Sequence, residues 1–147
     1  MSPREAGVAP GATRVPPDAP MAAIIWGAII GAGQAASPLA LWWLTPSVVY
    51  SLGLAVIAAV YIGFAVADGR TKVVVVETSV AAVFVVVAAT AVTGSEWIIV
   101  AGLIAHGLKD AWQHSTQFVL NTRWWPPFCA AVDFVAAVGP RSCVGPA

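Results

Sequence analysis

The sequence predicts an all-α fold, a polytopic transmembrane helical bundle of five spans, with four spans plus a short re-entrant or interfacial helix as the alternative. Three observations carry this expectation. Hydrophobic residues make up 59% of the 147-residue chain and charged residues 10%, a balance foreign to soluble globular domains. Apolar runs close to the length that crosses a hydrocarbon core as a helix recur along it. Short breaks rich in Pro, Gly, Asp and Ser separate those runs, as turns between helices require.

Residues 1–20 carry Pro3, Pro10, Pro16, Pro17 and Pro20 among Gly, Ala and mixed charges, and read as a disordered tail with too little apolar surface to order itself. The membrane domain is expected over residues 21–147. Its first span runs from Met21 to Leu44, interrupted by Gln34, Ser37 and Pro38. Arg4 and Arg14 upstream raise the alternative of a cleaved signal peptide. Because the apolar run continues past the small-residue stretch near Ala36, a retained span is the preferred reading. Gly27 and Gly31 form a G-x-x-x-G, with Gly33 and Ala35 extending the small surface. Such a face lets another backbone approach closely. Packing within one subunit is the simpler use, a homo-oligomer the weaker one. Pro38 should kink this helix, since its ring removes a backbone donor.

Thr45-Pro46 starts a second span that ends near Ala67, before Asp68-Gly69-Arg70. A third span, from about Lys72 to Val92, is rich in Val but too long for a strand, and holds Glu77 in its second turn. Thr93-Gly94-Ser95-Glu96 is a turn and N-cap signal opening a fourth span that reaches about Phe118. Trp124-Trp125 and Pro126-Pro127 mark an interface and a helix start. The last run, Phe128 to Val138, is short for a span, and Gly139-Pro140 stops it.

Basic residues set an orientation. Arg4, Arg14, Arg70, Lys72 and Arg123 fall on one side and Arg141 on the other, which predicts a cytoplasmic N-terminus in the cell membrane. Trp26, Trp124 and Trp125 then lie near the cytoplasmic boundary, and Trp42, Trp43 and Trp97 near the opposite one. Seven basic and seven acidic residues cancel, so no nucleic-acid surface or polybasic lipid patch is expected. Cys129 and Cys143 would stand on the order of 20 Å apart along a helix, beyond disulfide reach, and read as free thiols.

The chemistry concentrates in the fourth span, Ala105 to Gln117, A-H-G-L-K-D-A-W-Q-H-S-T-Q. His106, Asp110 and His114 recur every four residues and form one stripe. With His106 at zero, Lys109, Asp110, Gln113, His114 and Gln117 share an arc of about 140° at 100° per residue. Counting depth from the cytoplasmic face brings Glu77, Asp110, His114 and Asp133 from three helices to one level, with Cys129 on the face of Asp133. Ionisable groups inside a membrane are expensive and must pair, lose charge, meet water or bind an ion. Four uses follow. The simplest is structural pairing, Lys109 with Glu77 or Asp133 and Asp110 with a histidine. A divalent transition metal is the second, held by Asp110, His114, Glu77 and Asp133. A proton ladder through His114, Asp110 and His106 is the third. An intramembrane enzyme on an apolar substrate is the fourth, without a specific motif behind it.

Y-I-G-F-A-V-A-D-G-R (Tyr61 to Arg70), A-H-G-L-K-D-A-W-Q-H (Ala105 to His114) and R-W-W-P-P-F-C-A-A-V-D (Arg123 to Asp133) together resemble a family of small bacterial integral membrane proteins of uncharacterised function. The resemblance covers roughly Tyr61 to Val138. It implies membrane topology and grouping of the three motifs, and no substrate. Lys109 stands where that family's H-G-x-x-D pattern has an aromatic residue, which favours a local salt bridge.

Overall fold

The computed structural model describes residues 19–120 and 122–140. The expected tail falls outside these, except for Ala19 and Pro20, which open the first helix; Arg141 and Cys143 also lie outside. Five α-helices follow one another: α1 Ala19–Ala40, α2 Pro46–Asp68, α3 Thr71–Thr93, α4 Glu96–Thr116 and α5 Trp125–Ala136. Three of them, α1, α2 and α3, are long and apolar enough to cross a membrane. Helix α4 has 21 residues but carries Glu96, Lys109 and Asp110. Helix α5 has 12 residues, about 18 Å at 1.5 Å per residue, short of a full hydrocarbon core.

Helix ends follow local chemistry. Thr45 caps α2 through its side chain, Pro46 occupies the first turn, and Gly69 takes the left-handed conformation that ends it, at φ 78°. Ser95 caps α4, and Gln117 closes it in the left-handed region at φ 50°. The first helix stops at Ala40 rather than continuing to Leu44, and residues 41–45 form the turn. Pro38 lies inside α1 and cannot donate to the Gln34 carbonyl one turn back. The Ser37 hydroxyl donates to that carbonyl at 2.6 Å, which is how a proline survives in an apolar helix.

The short links make α1 to α4 run alternately up and down. Helix α2 packs along α3, while α1 lies along α5, and α5 also packs on α4. The G-x-x-x-G face of α1 is the contact with α5: a Cβ on Gly27 would run into the Phe128 carbonyl oxygen, and one on Gly31 would lie 2.8 Å from the Val132 carbonyl oxygen. Close backbone approach of this kind replaces the hydrophobic drive that helices lose in an apolar solvent. Tyr50 on α2 donates its hydroxyl to the Ala35 carbonyl at 2.7 Å, tying α2 to α1. Tyr50, Leu54, Phe84, Ile99 and Leu103 form the centre of the apolar core. Trp26, Trp42, Trp43, Trp97 and Trp124 are exposed. Trp42 and Trp43 precede α2 and Trp97 starts α4, so these three share one end; Trp26 and Trp124 share the other.

At that second end the two links are clamped together. Arg70 donates to both Asp68 oxygens, at 2.6 and 2.8 Å, and to the Phe118 carbonyl at 2.7 Å. Asp68 also accepts from the Leu120 backbone N–H at 2.8 Å. Both links are thereby held in register, and with them the adjoining ends of α2, α3, α4 and α5.

Candidate functional site

Helix α4 is the wall of the site. Its buried face holds His106, Gly107, Asp110 and Gln113, residues spaced three and four apart that recur on one side of a helix. Gly107 faces α5, since a Cβ there would meet the Phe134 ring and the Asp133 side chain. That close approach carries Asp133 to His106. The imidazole Nδ1 lies 2.8 Å from Asp133 Oδ2 and 3.5 Å from Asp110 Oδ2. His106 is 1% exposed, Asp110 and Asp133 0%. One ligand-type atom from each of these three residues falls within 4.8 Å of the other two.

The imidazole sits between two aromatic rings. Phe84 meets it edge-on with centroids 4.8 Å apart and Tyr61 at 6.0 Å. These contacts crowd the imidazole, which is sealed from solvent. At the centre Asp133 Oδ1 has no hydrogen-bond partner, while Asp110 has the Tyr61 hydroxyl as a hydrogen-bonding neighbour and the His106 and Lys109 nitrogens at 3.5 and 3.9 Å.

Beside this centre stands a second, satisfied cluster. Lys109 Nζ lies 2.8 Å from Glu77 Oε2 and 3.2 Å from the Tyr61 ring centroid, a placement in which the ring face adds to the ion pair. Gln113 Nε2 donates to Glu77 Oε1 at 2.5 Å. Both Glu77 oxygens are therefore engaged. Lys109 Nζ stands 3.9 Å from Asp110 Oδ1, outside hydrogen-bonding distance and within strong Coulombic reach.

The expected cluster of Glu77, His106, Lys109, Asp110, His114 and Asp133 thus divides in two, and one member leaves it. The sequence predicts that Glu77, Asp110, His114 and Asp133 converge, but His114 is exposed in the last turn of α4. The arc explains the correction: His114 lies at about 80° from His106, the far edge of the polar face, whereas Asp110 lies at about 40° and Gln113 at about −20°. The metal set read from the sequence omits His106 and includes Glu77, whose oxygens are committed to Lys109 and Gln113. The expected Lys109–Glu77 pair forms.

Cys129 is buried and free. It lines a mainly apolar cleft of about 490 Å³ between α1, α2 and α5, which Gln34 and Gly53 also line. Tyr61 is buried against the imidazole and the Lys109 ammonium and belongs to the site as well. Nothing in the sequence separates it from Tyr50, since an interior tyrosine in an apolar helix carries no distinguishing signal.

No protein-family model matches the chain, and no curated protein or solved structure matches it either.

Proposed function

We propose that this chain is an integral membrane protein that binds a divalent transition-metal ion inside its bundle, with His106 Nδ1 and carboxylate oxygens of Asp110 and Asp133 as ligands. The observation that carries this reading is the convergence of two fully buried aspartates on one imidazole, with ligand-type atoms of all three within 4.8 Å of one another and Asp133 Oδ1 unpartnered. Glu77 and Lys109 neutralise each other, so two aspartates remain against one imidazole. An uncompensated charge in such a place costs several kcal/mol, roughly the penalty of a buried ion without its partner. A divalent cation restores neutrality with the imidazole uncharged, and a nitrogen with carboxylate oxygens is a donor set for first-row metals. Structural pairing accounts for Glu77, Lys109 and Gln113 but leaves Asp133 Oδ1 unsatisfied. The proton ladder lacks its rung at the C-terminal end of α4, because His114 is exposed there.

The membrane setting is part of the proposal. Three helices have the length and composition of spans. Five crossings are favoured over four. Gly139, just past α5, lies beside Tyr50 and Ala35, near the α1–α2 end, while Trp125 starts α5 at the opposite end. We place the N-terminus and the Asp68–Arg70 clamp on the cytoplasmic side, following the basic residues.

Metal analysis of detergent-purified protein tests the site. About one equivalent of divalent metal per chain is expected in wild type and in His114→Ala, with loss in His106→Ala and Asp110→Asn, the outcome for a three-ligand site with an open position. Metal content that is negligible in wild type, or indifferent to Asp110→Asn, would remove the proposal. Labelling Thr71→Cys from each face tests orientation; reaction only from outside reverses it.

A further inference from the structure

Glu77 and Lys109 do more than neutralise each other, and this inference rests on the cation site proposed above. Lys109 Nζ is the one ammonium near the centre among the described residues. It lies 2.8 Å from Glu77 Oε2 and 3.9 Å from Asp110 Oδ1. Its side chain is 13% exposed and that of Glu77 1%, so the pair stands between the outside and the centre.

We infer that Lys109 is a tethered competitor for the cation site and that Glu77 is the positioning residue that holds it off Asp110. Three contacts keep the ammonium on the Glu77 side: the carboxylate, the face of Tyr61, and Gln113, which locks the other Glu77 oxygen. The distance left to Asp110 is about an ångström more than a charge-assisted hydrogen bond. A lysine chain has the rotamers to cover it. With the tether intact the ammonium stays off Asp110, whose carboxylate has the Tyr61 hydroxyl beside it and can still take an ion. Loosening the tether lets the ammonium satisfy Asp110, and an ion must then displace it. Affinity for the cation is set by a residue that never touches it.

Cobalt(II) titration of the full chain in detergent tests this, with affinity and the ligand-field absorption spectrum as readouts. Glu77→Gln weakens Co²⁺ binding by about tenfold, the scale of a unit charge moved a few ångströms at partial burial. Lys109→Met strengthens it by about as much. In the Lys109→Met background the loss on Glu77→Gln shrinks to about threefold or less, because no competitor is left to restrain. The saturated spectrum of Glu77→Gln stays that of wild type, whereas Asp110→Asn alters or abolishes it. Lys109→Gln replaces Lys109→Met should the latter not fold, since it removes the same charge.

Coupling of the opposite sign, with Glu77→Gln costing more once Lys109 is gone, would make Glu77 a ligand and overturn the inference. Equal losses in both backgrounds would reduce it to a fixed electrostatic field and overturn it as well. In either case the cation site stands if Asp110→Asn still abolishes binding. Absence of Co²⁺ binding in wild type and in Lys109→Met alike would overturn both.

Discussion

Asp133 on α5 holds the Nδ1 of His106 on α4 at 2.8 Å, with both residues sealed from solvent. This contact and the close approach at Gly107 fix α4 and α5 to each other.

Removing the imidazole alone should therefore be worse than removing the whole centre. His106→Leu takes from Asp133 its hydrogen-bond partner and should lower stability by about 3 kcal/mol, the scale for a broken buried pair. Replacing His106, Asp110 and Asp133 together by Leu should recover most of that loss. Thermal unfolding in detergent with chelator present checks the order of the two variants.

The α1–α5 contact predicts opposite outcomes for glycines of similar sequence context. Gly27→Ala and Gly31→Ala place a methyl group against the backbone of α5, and overpacking of this kind costs about 1–3 kcal/mol. A methyl group on Gly33 or Gly63 would meet nothing within 4 Å, so alanine there should be neutral or stabilising by up to about 1 kcal/mol through helix propensity. The same unfolding assay separates the pairs.

Ser37→Ala removes the hydroxyl that satisfies the carbonyl freed by Pro38. Its loss should cost about 1 kcal/mol. The penalty should vanish in a Pro38→Ala background, where the backbone N–H returns; a double-mutant cycle reads the coupling.

Asp68→Asn or Arg70→Ala should unclamp the α2–α3 and α4–α5 links, seen as faster amide exchange at Leu120. Hydrogen bonding to Asp68 holds the Arg70 guanidinium above its usual range. A cation raised in this way contributes its stabilisation in full below its unfolded-state pKa and loses it only above, past about pH 12 for arginine. Exchange at Leu120 should then show no clamp-dependent change between neutrality and about pH 10, an interval over which arginine stays charged.

Helix existence and order were legible because Thr45-Pro46, Asp68-Gly69-Arg70 and Gly94-Ser95 punctuate the apolar runs. An ion pair of Lys109 with Glu77 or Asp133 was legible too, because opposite charges at equal depth have few alternatives; depth alone did not choose Glu77. What depth could not supply was direction around the helix axis. His106 and His114 differ by about 80°, and only the approach of α5 through Gly107 decides which of them is inside. That approach depends on how Gln117 turns the chain and on Gly27 and Gly31 receiving α5, neither of which declares its partner in the sequence.

The seating of α5 between α1 and α4 has a bearing on biogenesis. During synthesis α1 to α4 leave the ribosome before Asp133 does, so for that interval His106 has one aspartate near it rather than two. Lys109 is on α4 already and can shield Asp110 until α5 arrives. A chain stalled after α4 would carry a half-built centre and an uncovered glycine face on α1.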